Sequence, residues 1–153
     1  MPRNTKTALA ASLLSLLVMS ACTDSGPGPS PVVTPVPVTV PVSTVLSQPT
    51  VSGLRPGFGS FLDFNVPNTG TLDADFNWTF TNNDVDIYLT TPSCPSVSAL
   101  TTPGGCSILA SDQTLQKPAR FSFTVTQAGA ARFWVVNLGS SNESGSGTLR
   151  LTR

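Results

Sequence analysis

The sequence predicts an all-β domain, an antiparallel sandwich of about seven strands, held behind an export signal and a proline-rich tether. Three observations carry this reading. From about Val51 onwards, apolar and polar residues alternate with period two, in runs broken by Gly, Pro and Asn. No run repeats with helical period, and 14 Pro and 12 Gly beside only 10% charged residues disfavour helices. Hydrophobic residues reach 39%, with eight Phe, too many for a wholly disordered chain. The 153 residues suit one small domain plus an appendage.

The appendage begins with an address. Arg3 and Lys6 precede an apolar run from Ala8 to Val18, interrupted only by Ser12 and Ser15. Small residues Ser20 and Ala21 then lead into Cys22, which completes the three-part pattern of a secretory signal. The run is too short for a membrane span, which needs about 20 apolar residues. Val18-Met19-Ser20-Ala21-Cys22 resembles a bacterial lipobox, with Met19 where Leu is commoner. That resemblance implies residues 1–21 as a lipoprotein signal peptide, cleavage before Cys22, and lipidation of Cys22 on its sulfur and new amino group. An ordinary signal peptide with an incidental Cys is the alternative. Thr23, not Asp, follows Cys22, which favours the outer membrane if the host is Gram-negative. Without Arg3 and Lys6, six basic and eight acidic residues remain, a formal charge of −2.

Residues 22–50 read as the lipidated Cys and a disordered Pro/Val/Thr-rich linker. Between Thr23 and Pro49 lie seven of the 14 Pro and a single charge, Asp24. Closely spaced proline blocks helix and ladder alike and favours polyproline II, long enough here to reach roughly 80 Å. A proline-rich ligand for a partner's aromatic groove is the functional alternative.

Residues 51–153 read as the sandwich. Leu62, Phe64 and Val66 alternate with Asp63 and Asn65, and Pro67 to Gly70 turn the chain. Leu72, Ala74, Phe76, Trp78 and Phe80 form the clearest strand, with Asp73, Asp75, Asn77 and Thr79 outward. After Asn82-Asn83, Val85, Ile87 and Leu89 alternate with Asp84, Asp86 and Tyr88. Thr91 to Gly105 is a loop with no helix expected, and Cys106 to Ala110 a short strand. Phe121, Phe123 and Val125 mark the next strand, and Arg132 to Leu138 is apolar on both faces. Gly139 to Gly147 reads as a Ser/Gly loop before a closing strand at Thr148 to Thr152. Trp78 and Trp134 are expected in the core.

Cys94 and Cys106 flank the Pro/Gly loop of an exported domain and are expected to form a disulfide. If the two best strands pair across Asn82-Asn83, then Asp73, Asp75, Asp84 and Asp86 share one face. Clustered carboxylate oxygens suit Ca²⁺, the one cofactor the sequence suggests. The simpler expectation is a solvated acidic face that guards the sheet, since no EF-type loop is present. Tyr88, the one aromatic expected to face outward, is the candidate ligand contact.

Several segments resemble bacterial pre-peptidase C-terminal domains. Asp84-Val85-Asp86-Ile87-Tyr88-Leu89 is similar to their D-x-D-[LI]-Y-[LV] strand. Ala128 to Asn137 resembles their A-G-T-Y-Y-V-x-V segment, with Ala130-Ala131-Arg132-Phe133 replacing the Thr-Tyr centre. Gly147 to Leu151 resembles their closing strand. The resemblance spans about Leu54 to Arg153 and implies a jelly-roll-like sandwich, a non-catalytic role, and kinship with calcium-dependent collagen-binding modules. Such domains usually accompany a peptidase, and this chain has none.

Composition narrows the function further. The chain has no His, which excludes His-based triads and His-ligated metal sites. Zero formal net charge without a basic cluster argues against nucleic acid. The expectation is a non-enzymatic, membrane-anchored lipoprotein of the bacterial envelope. It would present a binding module for an envelope or extracellular protein or polysaccharide. A structural lipoprotein packed against an envelope partner is the alternative.

Overall fold

The computed structural model describes residues 39–153. The expected signal peptide, Cys22 and the expected linker up to residue 38 lie outside the described residues. The chain forms β1 (Ser43–Ser47), β2 (Thr50–Leu54), β3 (Gly59–Val66), β4 (Gly70–Trp78), β5 (Val85–Thr90), α1 (Val97–Thr101), β6 (Ile108–Asp112), β7 (Ala119–Val125), β8 (Gly129–Asn137) and β9 (Glu143–Thr152). One sheet runs β1-β9-β4-β7, with β2 also paired to β9; the other runs β3-β8-β5-β6.

The first two strands are two halves of one edge. Antiparallel to β9, β1 faces Leu149 to Thr152 and β2 faces Glu143 to Ser146. Between them Pro49 lacks an N–H, and only its carbonyl joins the edge, accepting from Gly147 N at 2.9 Å. With β1 and β2 taken together, the pairs nest: first with last, β3 with β8, β4 with β7, β5 with β6. Nested antiparallel pairs split over two sheets make a jelly roll. The all-β sandwich expected from alternation is therefore present.

The core lies between the sheets. Along β4 the alternation holds, with Leu72, Ala74, Phe76 and Trp78 buried. They meet Val85, Ile87 and Leu89 of β5, Phe133 and Val135 of β8, and Leu149 and Leu151 of β9. Each large side chain so buried contributes roughly 1.5 to 3 kcal/mol. A buried acid meets the end of β4. The Glu143 carboxylate accepts from Thr79 N at 3.0 Å and from Phe80 N at 3.2 Å, one residue past the last ladder bond from Thr79 N to the Ser144 carbonyl. Phe80, expected inward, lies past this point and is exposed.

Four further expectations are corrected. The domain begins before Val51, because β1 and Thr50 lie in residues read as linker. The loop after β5 holds α1, capped by Ser96, whose Oγ accepts from Ala99 N. The Ser/Gly stretch after Gly139 enters β9 at Glu143. There a Cβ at Gly145 or Gly147 would collide with β4 carbonyls and the Phe76 ring, so glycine serves close approach and not a loop. Finally, β4 and β5 do not pair: β4 lies between β9 and β7, and β5 between β8 and β6.

Candidate binding surface

Because β4 and β5 belong to different sheets, the four aspartates do not share a face. Asp73 and Asp75 stand outward on one sheet, opposite Arg150 and Arg120 respectively, and Ser122 Oγ donates to Asp73. Asp86 lies on β5 of the other sheet, and Asp84 sits just before that strand. Among the described residues no three His, Cys, Asp or Glu come together as a metal-ligand set. The shared acidic face, whether solvated or calcium-binding, is therefore not formed.

The outer face of the second sheet carries most of the chemistry. Register places Phe61, Trp134 and Tyr88 in one row across β3, β8 and β5, and Asp63, Arg132 and Thr90 in the next. Arg132 forks onto Asp63, with Nε to Oδ1 at 2.6 Å and Nη2 to Oδ2 at 2.8 Å. Its Nη1 donates to the Cys94 carbonyl at 2.6 Å, and its guanidinium lies 3.9 Å from the Phe61 ring centre. Phe61 in turn packs on Trp134, ring centres 4.8 Å apart. The bidentate pair holds Asp63 below the usual carboxylate range and raises Arg132 further.

A lid covers the rest of this face. Cys94 and Cys106 are joined by a disulfide, with Cα atoms 5.0 Å apart. The segment between them packs Leu100 and Val97 onto Tyr88, Trp134 and Val136. Tyr88 does stand on the outer face, but the lid leaves it only 3% exposed rather than open as expected. Its hydroxyl donates to Asp86 Oδ2 at 2.7 Å, and burial pushes the phenol well above its ordinary value. Trp134 is buried as expected, with Nε1 lacking a partner.

Asp86 is 3% exposed, and its pKa is raised above 3.8. Desolvation is the largest cause; the Tyr88 bond opposes it, and the charges of Asp84 and Asp112 add to it. The folded state therefore holds this proton more tightly than the unfolded chain, so ionising Asp86 costs stability as pH rises through its folded value. Below about the unfolded value of 3.8 this cost is absent. An Asp86→Asn chain should gain stability over the parent at pH 7, and the gain should shrink on acidification towards pH 4. Urea melts at both pH values check this, and a pH-independent difference would contradict it.

At the β2–β3 edge the surface opens. A cleft of about 210 Å³ runs inward beneath the break at Gln48-Pro49, lined by Val51, Leu62, Phe133 and Val135. Beside it lies a wider, shallower cleft of about 460 Å³, lined by Thr50, Ser52, Arg55, Phe58 and Ser60. Phe58 is 59% exposed and Phe61 49% exposed, the aromatic surface expected of Tyr88. Sequence reasoning missed both residues. Phe61 had a readable signal, since it falls on the outward register of Leu62, Phe64 and Val66. Phe58 lies in a turn, where period carries no information. No protein-family model matches the chain, and no curated protein matches it.

Proposed function

We propose that this chain is a lipoprotein of the bacterial envelope, anchored through Cys22, that presents a non-catalytic binding module. The observation that carries the binding reading is the cleft beside β2, where Phe58 stands exposed among Thr50, Ser52, Ser60 and Arg55. An aromatic ring flanked by hydroxyls and one guanidinium suits a polymer with alternating apolar faces and polar groups, such as a polysaccharide, or a protein loop. The export signal and the Ser20-Ala21-Cys22 junction support the anchor. The structural alternative would use the same exposed apolar residues against a fixed envelope protein.

One experiment addresses both parts. The full chain and its Cys22→Ala variant are expressed in a bacterial host and fractionated. The variant should leave the membrane fraction or fail to mature, and a processed variant still in membranes would refute the anchor. The same preparations are passed over purified cell-wall polysaccharide and over an envelope protein extract. Phe58→Ala should weaken retention about tenfold, as truncating an anchor aromatic does. Retention unchanged by Phe58→Ala would remove the cleft from the reading.

A further inference from the structure

Every edge of a β-sandwich is a row of unpaired backbone groups unless something guards it. Three of the four edges here are guarded. The β1–β2 edge is broken by Pro49, and its register slips between Val45 and Ser47 and again between Val51 and Leu54. The β6 edge is five residues long, and its pairing with β5 slips between Leu89 and Thr90. At the β7 edge, Arg120 N donates to the Asp112 carboxylate of β6 at 2.7 Å, which closes that corner.

The fourth edge, β3, has none of these devices. Its eight residues pair with β8 in unbroken register from Gly59↔Val136 to Val66↔Gly129. It carries no Pro, Lys or Arg, and its one charge, Asp63, is matched by Arg132. The Asn137 N to Phe58 O bond sets the phase of the ladder. Even-numbered residues of β3 therefore bond β8, while Gly59, Phe61, Asp63 and Asn65 turn their N–H and C=O to the open side. Those groups take no bond from another described element.

We infer that β3 pairs with β3 of a second copy of this chain, antiparallel about a two-fold axis at Leu62, joining the two four-stranded sheets into one. Phase, overlap and charge together select this register: axes at Phe61 or Phe64 keep the phase but pair only about five of the strand's eight residues. An axis at Asp63 also keeps the hydrogen-bond phase but sets Asp63 against Asp63 of the other copy, and like charges directly opposite are unfavourable. An axis between two residues would oppose bonded to unbonded positions. An axis at Leu62 sets Phe61 against Asp63, Ser60 against Phe64, and Leu62 against itself. Leu62 lines the narrow cleft beside Val51 and Phe133, so its twin would cover the mouth of an opening of about 210 Å³. The same register carries exposed Phe58 to the Val66 end of the other strand. Another strand pairs such an alternating row of donors and acceptors in full where water would otherwise bond it, and a self-complementary register makes a second copy the fitting one. The inference does not rest on the binding reading.

Register makes the test specific. In this pairing Leu62 and its twin form a non-hydrogen-bonded pair with Cα atoms about 4.5 Å apart, within disulfide reach. The two Ser60 residues would lie about 14 Å apart, out of reach. Full-length Leu62→Cys and Ser60→Cys chains are oxidised mildly beside the parent chain, whose own cysteines set the baseline. Leu62→Cys should convert to a covalent dimer, and Ser60→Cys should stay at baseline. Cross-linking of both to the same extent, or of neither, overturns the proposal. Sedimentation of the otherwise unaltered chain gives a second reading. It should show the mass of two chains, and Leu62→Lys that of one, with unchanged far-UV circular dichroism. A parent chain that sediments as a monomer at high micromolar concentration overturns it equally, and leaves the β3 edge to a peptide from another protein.

Discussion

Replacing Asn137 by alanine is expected to cost roughly 3 to 5 kcal/mol, a large share of the 5 to 15 kcal/mol typical of a domain. Asn137 is wholly buried at the end of β8. Its Nδ2 donates to the Leu54 carbonyl at 2.8 Å and the Ser141 carbonyl at 2.7 Å. Its Oδ1 accepts from Gly139 N at 3.0 Å and Asn83 Nδ2 at 3.1 Å. Asn83 closes the knot by accepting from Ser141 N and, through its carbonyl, from Trp78 Nε1. One amide thus ties β2, the turn before β5, and the β8–β9 connection together. Alanine would strand partners that water reaches poorly, and a buried unpaired group costs about 1 to 3 kcal/mol. Urea unfolding measures the loss, with exposed Asn142→Ala as a control expected within about 0.5 kcal/mol. A loss below about 1 kcal/mol would mean that water restores these bonds and that the knot is not cooperative.

The double change Cys94→Ala with Cys106→Ala is expected to cost about 3 kcal/mol and to lower the melting temperature by about 10 °C. The sequence separation of 12 closes a short loop in the unfolded chain. A native-state effect adds to that. The cross-link holds the lid over Tyr88, Trp134 and Val136, and the Cys94 carbonyl receives Arg132 Nη1. A loosened lid would wet the outer face of β5, so Trp134 emission should shift to the red before the main unfolding transition. Coincident transitions with a small loss would show that Leu100 and Val97 hold the lid without the cross-link.

Much of the architecture was legible because β4, β7 and β8 bury one side and expose the other, or are apolar throughout. Partnership was not legible. Alternation says which residues face inward but not which strand lies alongside, and an Asn-Asn turn after β4 suggested a hairpin with β5. The two strands instead enter opposite sheets, and the shared acidic face disappeared with the hairpin. The exposure expected of Tyr88 failed for a related reason. Its outward register was right, but a disulfide-closed segment laid a second apolar layer over it, and cover from distant sequence leaves no periodic trace. The disulfide itself was readable, since two cysteines around a Pro/Gly loop have few other uses. At β9 composition misled: Gly145 and Gly147 look like loop residues, yet glycine there lets the strand pass beneath Phe76.

The nested pairing also bears on how the chain acquires its fold. Of the pairs that hold the sandwich, only β5 with β6 joins strands consecutive in sequence; each pair outside it closes a longer loop, and the outermost waits for β9. Since β9 is partner to β1, β2 and β4, one sheet has no centre until the segment from Glu143 to Thr152 arrives. Loop closure must then precede most of the contacts that reward it, which makes folding slow and its transition state dependent on the latest-synthesised strand. A chain emerging in order from its N-terminus can complete the second sheet only once β8 has followed, and the first only once β9 has.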